Sequence, residues 1–201
     1  MKKIMFNDQY GLTKAVLDGR KTQTRRIVKD VDLLQCLNEL EEDGVLKCIK
    51  GDIVAQGNAR HKVGEVVAIA QSYKSIMEED LERGVMGHPT VLEQNASATA
   101  GWNNKMFVKA RSMPHHIRIT DVRIERLQDI SDEDCIAEGI MQGIRRFNNG
   151  ETVFYKFENK DNPFVFSKAR GAYATLIDRI SGKATWNANP FVFVYGFELI
   201  K

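Results

Sequence analysis

The chain has 201 residues, of which 43% are hydrophobic and 28% are charged. This composition is typical of a globular protein and excludes disorder over the whole length. The net charge of +2 is too small to indicate a partner by itself. No apolar run approaches the roughly 18–20 residues that a membrane span needs. The apolar stretch at residues 1–6 is too short to be the core of a signal peptide. We therefore expect a soluble, cytoplasmic protein with no membrane partner.

The three cysteines, Cys36, Cys48 and Cys135, are widely spaced and include no C-x-x-C pair. This pattern favours free thiols in a reducing compartment over a disulfide framework or a zinc site. We expect no metal and no cofactor.

The predicted elements follow from hydrophobic periodicity and turn residues. In chain order they are a helix at 8–18, a strand at 22–28, a helix at 30–43, a hairpin of 45–49 with 53–56, a strand at 66–70, a weak helix at 76–83, strands at 106–110 and 117–127, a helix from 131, a hairpin of 152–157 with 164–166, a helix at 167–180 and a strand at 191–200.

Three of these predictions rest on specific signals. Ala169, Ala172 and Leu176 share one face of the predicted helix at 167–180. The strand at 191–200 is apolar on both faces, as a fully buried strand should be. Ser131 is followed three residues later by Asp134, which is similar to the capping box that starts a helix.

The predicted elements do not alternate strictly between strand and helix, which indicates an α+β fold, either a barrel or a curled sheet with surrounding helices. We expect one domain over residues 1–201, with insertions at roughly 30–60, 74–104 and 140–165.

Positive charge is concentrated in residues 14–29 and 105–126. Segregated charge of this kind can present a basic surface to phosphate groups. The alternative interpretation is that these residues form solvated strand faces. The candidate nucleic-acid or ligand-binding residues are Arg20, Arg25, Arg26, Lys109, Arg111 and Arg118.

Residues 19–26 read Gly-Arg-Lys-Thr-Gln-Thr-Arg-Arg. In a strand, Thr24 and Arg26 point to one face and Arg25 to the other. A regular strand would put Lys21 and Thr24 on opposite faces. The two can share a site only if Lys21 lies in the turn after Gly19 or if a bulge redirects it. The alternative is an edge strand whose basic residues discourage aggregation.

Gly19, Lys21 and Arg26 resemble the G-x-K-x-x-E-x-R signature of the ASCH family, which is related to PUA RNA-binding domains. Thr24 stands where the signature has Glu, as it does in a bacterial branch of amidohydrolases that act on N4-acetylcytidine. Three further segments are similar to longer ASCH-type proteins, many of them encoded by phages and prophages, and these are 62–65, 119–139 and 186–190.

This resemblance implies a PUA-like β-barrel with helices and insertions, and a basic cleft that binds RNA or a modified nucleoside. It also implies a catalytic set of Lys21, Thr24 and Glu138. A lysine of depressed pKa could take the proton of the threonine hydroxyl, which is otherwise a poor nucleophile. Glu138 could orient the amine or pass a proton, or it could be an ordinary surface carboxylate at a helix end. A non-catalytic RNA-binding module and a ribonuclease are the alternatives.

Overall fold

The computed structural model describes residues 1–42, 52–84, 100–147, 150–158 and 165–200. Within these residues the fold contains both helices and strands. The strands are β1 (Lys3–Ile4), β2 (Gln23–Ile27), β3 (Val66–Ile69), β4 (His116–Arg126), β5 (Met141–Phe147), β6 (Gly150–Lys156) and β7 (Phe191–Ile200). The helices are α1 (Leu12–Leu17), α2 (Val31–Glu42), α3 (Asp52–Asn58), α4 (Tyr73–Glu82), α5 (Asp132–Ala137), α6 (Ala169–Ser181) and α7 (Thr185–Ala188).

Five strands form a mixed sheet in the order β1-β3-β4-β7-β2, and β5 and β6 form a separate two-stranded sheet. The β1–β3 pair is parallel, whereas the β2–β7 pair is antiparallel. The predicted α+β class is confirmed. The larger sheet does not close into a barrel among the strands that the structure describes, because β1 and β2 stand at its two ends.

The chain divides into two compact units, of which the first contains Met1–Phe6, Val66–Ile117 and Leu199–Lys201. One cluster of its buried apolar side chains consists of Ala68, Ala70, Val108 and Met113. The Lys3 ammonium group donates hydrogen bonds to the carbonyl oxygens of Met106 and Val108, at 2.6 and 2.8 Å. These bonds fix the N-terminal strand within the first unit.

The second unit contains Asn7–Glu65 and Arg118–Glu198. Strand β2 pairs with β7 in an unbroken register from Gln23 opposite Gly196 to Ile27 opposite Val192. The core of this unit consists of large side chains that are fully buried, among them Leu37, Ile119, Leu127, Ile130, Ile140, Leu176 and Phe191. The candidate site lies at one end of β2, within this unit.

Several sequence predictions are confirmed. The strand at 191–200 is β7, and most of its residues are buried. The helix at 167–180 is α6 with its boundaries shifted by one or two residues. The Ser131 side chain accepts a hydrogen bond from the Asp134 N–H at 3.0 Å, so it caps α5 as predicted.

Two other predictions are wrong. Residues 53–56 lie in helix α3, and their predicted partner at 45–49 lies outside the described residues. Residues 106–110 form no strand, since Lys105–Phe107 and Ala110–Ser112 are short 3₁₀ turns and Lys3 binds the carbonyl oxygens of Met106 and Val108.

The hairpin predicted from 152–157 and 164–166 is met in part. Tyr155 and Phe166 form an antiparallel bridge, and residue 164 lies outside the described residues. The longer pairing of 150–156 is with Met141–Phe147.

The domain prediction stays a prediction. One of the proposed insertions is 140–165. Most of its described residues form the β5–β6 hairpin. None of the helices in the described part of the chain is long and apolar enough to cross a membrane.

The environments of two cysteines differ, which gives a test of the fold. Cys135 on α5 has no exposed surface, and burial raises the pKa of its thiol to about 12, whereas Cys36 is exposed. Because the thiolate is the reactive species, Cys135 should resist thiol reagents in the folded protein. In a Cys36→Ser, Cys48→Ser variant, we expect Ellman's reagent to react within the mixing time only after urea is added. Rapid labelling without urea would contradict the placement of α5.

Candidate active site

Lys21 lies in the turn between α1 and β2. Gly19 adopts the left-handed backbone conformation, with φ of +72°, and so ends the helix. The N–H groups of Arg20 and Lys21 both donate to the carbonyl of Ala15, each at 2.9 Å. Because β2 begins at Gln23, Lys21 lies outside the strand, and the alternation of strand side chains does not determine the direction of its side chain. The sequence left two possibilities for Lys21, a turn after Gly19 or a bulge in the strand, and the structure has the turn.

Glu138 lies at the C-terminal end of α5, and backbone contacts place this end beside Lys21. The Thr22 N–H donates to the carbonyl of Ala137 at 2.9 Å. Gly139 has a φ of +106°, and a Cβ atom there would lie 3.2 Å from Leu12 Cδ2 and 3.7 Å from Lys21 Cδ. A side chain at position 139 would therefore be strained by the backbone conformation and would crowd Leu12, whereas its distance from Lys21 is an ordinary contact.

The Lys21 amine donates to Oε2 of Glu138 at 2.6 Å and to the Glu138 backbone carbonyl at 2.7 Å. The two side chains are only 1% and 6% exposed. Burial lowers the pKa of the Lys21 amine below its ordinary value of 10.5. Glu138 opposes this shift, and the charges of Arg26 and Arg25 add to it. The site therefore favours a neutral lysine more than water does.

Arg25 holds the second oxygen of Glu138. Its guanidinium lies 3.2 Å from Glu138 Oε1, 2.6 Å from Glu125 Oε1 and 2.7 Å from Asp134 Oδ2. Burial alone would lower the pKa of Arg25, but Glu138 and Glu125 outweigh it and raise the pKa. Arg123 closes the group with contacts to Glu125 and Asp134, at 3.1 and 2.9 Å.

We name the group formed by Lys21, Arg25, Arg123, Glu125, Asp134 and Glu138 the ion-pair cluster. Arg25 was predicted to contact a ligand. It is buried, and its guanidinium contacts three carboxylates, so a phosphate that bound it would have to displace them.

Thr24 is buried on β2, opposite Tyr195 of β7. The unbroken register puts Thr24 and Arg26 on one face of the strand and Arg25 on the other. Among the described residues, no hydrogen bond joins the Thr24 hydroxyl to the Lys21–Glu138 pair. The structure therefore brings Lys21 and Glu138 together, and it places Thr24 three residues away along the same segment.

Arg26 is exposed, yet burial lowers the pKa of its guanidinium. Glu138, Tyr195 and Tyr173 oppose this shift, and the nearby charge of Arg60 adds to it.

The remaining predicted binding residues do not belong to the ion-pair cluster. Arg20 is partly exposed and pairs with Asp18 at 3.1 Å. Arg118 is exposed and pairs with Glu198 at 3.1 Å. Lys109 and Arg111 are exposed in the first unit.

Sequence reasoning missed the roles of Asp134, Glu125 and Arg123. Asp134 was interpreted only as part of a helix cap. Arg123 and Glu125 alternate along one face of β4, which was the available signal for a charged face packed against other residues. Nothing local indicated that this face meets Arg25.

No protein-family model, no curated protein and no solved structure matches this chain. No group of three or more His, Cys, Asp or Glu side chains suited to a metal ion occurs in the part of the chain that is described.

The ion-pair cluster predicts unequal costs for removing its members. Glu138→Leu leaves two buried cations without one of their partners and should lower the free energy of unfolding by about 3–5 kcal/mol. Lys21→Met should cost less, because Glu138 keeps Arg25. The double variant should lose less than the sum of the single losses, by about 0.5–3 kcal/mol. Urea titration measures each value.

Arg20→Met is the control, since it removes a partly exposed ion pair in the same turn and should cost at most about 1 kcal/mol. Additive effects of Lys21→Met and Glu138→Leu would contradict the pairing of these two residues.

Proposed function

We propose that this chain is an ASCH-type, PUA-like protein that hydrolyses the amide of an acylated nucleoside such as N4-acetylcytidine. The observation that carries the proposal is the buried Lys21 amine, held 2.6 Å from Glu138 with a lowered pKa, in the same segment as Thr24. Perturbed pKa values cluster at functional sites. Replacing a buried ion pair by apolar side chains often leaves a protein equally stable or makes it more stable. A contribution to stability is therefore a weak explanation for the presence of Lys21 and Glu138.

The two hydrogen bonds of the Lys21 amine suit a general base. A neutral amine has two N–H donors and one lone pair. The carboxylate and carbonyl oxygens of Glu138 hold the Lys21 amine in place, and a neutral amine can accept a proton from a hydroxyl group. Glu138 then acts as a positioning residue, and Arg25 holds its other oxygen in place.

In the proposed reaction, the Thr24 oxygen attacks the carbonyl carbon of the acyl group while Lys21 takes the hydroxyl proton. The carbon–nitrogen bond then breaks, and the proton moves to the leaving exocyclic nitrogen, which frees the nucleoside. Water hydrolyses the resulting threonine ester to a carboxylate and restores the hydroxyl. Arg26, which is exposed on the same face of β2 as Thr24, would contact the sugar or a phosphate of the substrate.

The second candidate is a cleft that binds a nucleoside or RNA without catalysis. It is favoured by the hydrogen bonds of Lys21, which go to Glu138 and not to the Thr24 hydroxyl. The two candidates predict different effects of Thr24, since only hydrolysis needs its oxygen.

Turnover of N4-acetylcytidine, followed by chromatography of released cytidine, separates the candidates. Lys21→Met should reduce the rate about a hundred-fold or more, which is the typical contribution of a general base. Thr24→Val removes the proposed nucleophile itself and should reduce the rate at least as much. Thr22→Val and Lys29→Met are the matched controls, because they remove the same groups at exposed positions nearby, and their rates should stay within about two-fold.

If the wild-type protein releases no cytidine above the protein-free rate, while calorimetry detects nucleoside binding that Lys21→Met weakens, the non-catalytic candidate holds. A Thr24→Val variant with full activity would exclude Thr24 as the nucleophile.

A further inference from the structure

The β5–β6 hairpin has two faces of different character. Residues that lie opposite each other across an antiparallel pair share a face, and faces alternate along each strand. The register therefore puts Gly143 with Phe154, and Arg145 with Thr152, on one face. We name this face the Phe154 face. Its members are Met141, Gly143, Arg145, Phe147, Thr152, Phe154 and Lys156.

Charge is distributed unequally between the two faces. Within β5 and β6, the Phe154 face has two cations, Arg145 and Lys156, and no acid. The acidic residue of these strands, Glu151, lies on the opposite face, where Arg146 binds it at 2.7 Å. The Phe154 face is therefore net positive, whereas the opposite face is locally neutral.

Two aromatic rings lie on the Phe154 face, one of them exposed and the other half-buried. Phe147 is 55% exposed. The Phe154 ring lies directly over Gly143, because a Cβ atom at position 143 would come within 2.4 Å of it. One side of this ring thus covers the backbone of β5, and the other side points away from it. The Arg145 guanidinium lies 5.8 Å from the centre of the same ring.

A shallow pocket of about 190 Å³ adjoins these rings. It is lined by Arg145, Phe147, Phe154, Val165 and Phe166, among others. Exposed aromatic side chains beside cations on an extended surface match the needs of a single-stranded nucleic acid, whose bases stack on rings while its phosphates contact Lys and Arg. An acidic peptide would use the cations but would gain much less from flat rings.

We propose that the Phe154 face binds a single-stranded nucleic acid, with bases stacked on Phe147 and Phe154 and phosphates held by Arg145 and Lys156. The inference deepens the proposed function, since it names a polynucleotide as the carrier of the modified base. Binding at the hairpin, however, needs no chemistry at Lys21. The two proposals can therefore fail separately.

Fluorescence anisotropy with fluorescein-labelled 12-nucleotide RNA and DNA strands tests the proposal. Phe147→Ser should weaken binding about five-fold or more, the effect of losing one stacked base. Arg145→Gln should weaken binding and reduce the slope of log affinity against log salt by about 0.7, the value for one lost phosphate contact on a single strand.

Ile144→Ser and Arg146→Gln are matched controls, because they make the same kinds of change on the opposite face of the same strand, three positions from Phe147 and one position from Arg145. They should leave affinity and salt slope within error. Melting curves verify that all variants fold.

Three outcomes would overturn the proposal. The first is no binding of either strand at low salt. The second is an equal loss with Arg145→Gln and Arg146→Gln, which would indicate only general charge attraction. The third is equal binding of a labelled poly-glutamate peptide that Phe147→Ser leaves unchanged, which would indicate an acidic protein partner.

Discussion

The buried pair of Lys21 and Glu138 is the interaction on which the rest of the site depends. Two charges removed from water lose several kcal/mol of hydration each, and the loss is offset only when the geometry is good and the remaining donors and acceptors are satisfied. Here the amine meets two oxygens of Glu138, and the other carboxylate oxygen meets Arg25. The pair thereby constrains two segments that are distant in sequence.

The local structure around the pair is consistent with this constraint. Two glycines have a positive φ and end the helices on either side of the pair. Gly19 ends α1, which precedes Lys21, and Gly139 follows the end of α5, which begins at Asp132. The hydrogen bond from Thr22 to the Ala137 carbonyl sets the spacing between the two segments. Burial then acts on the lysine more strongly than its partner does, since the net effect is a lowered pKa. A surface lysine in an exposed ion pair would not gain this property.

The sequence predicted those parts of the fold that depend on local patterns. The alternation of side chains along β2 required Lys21 to lie in a turn if it was to approach Thr24, and the turn after Gly19 is present. The Ser131 cap and the apolar periodicity of α6 were likewise readable from neighbouring residues. Each of these features depends on interactions within a few residues, which is why single-sequence reasoning can reach them.

The environment of Arg25 was beyond such reasoning. Arg25 and Arg26 are adjacent and were both assigned to ligand binding, yet one is buried among Glu125, Asp134 and Glu138 while the other is exposed. The difference arises because β4 and α5 bring carboxylates to one face of β2, and this meeting is a property of the tertiary structure. The strand predicted at 53–56 failed for a related reason, since strand preference depends strongly on context.

The most direct test of this account is the titration of the Lys21 amine itself. Heteronuclear NMR of protein with ¹³C-labelled lysine side chains, with the signal assigned by its loss in Lys21→Met, follows the charge of this group. The account predicts a midpoint below the ordinary value of 10.5, because burial outweighs the attraction of Glu138. A midpoint at or above 10.5 would show that the ion pair dominates, and it would remove the physical basis for Lys21 as a base.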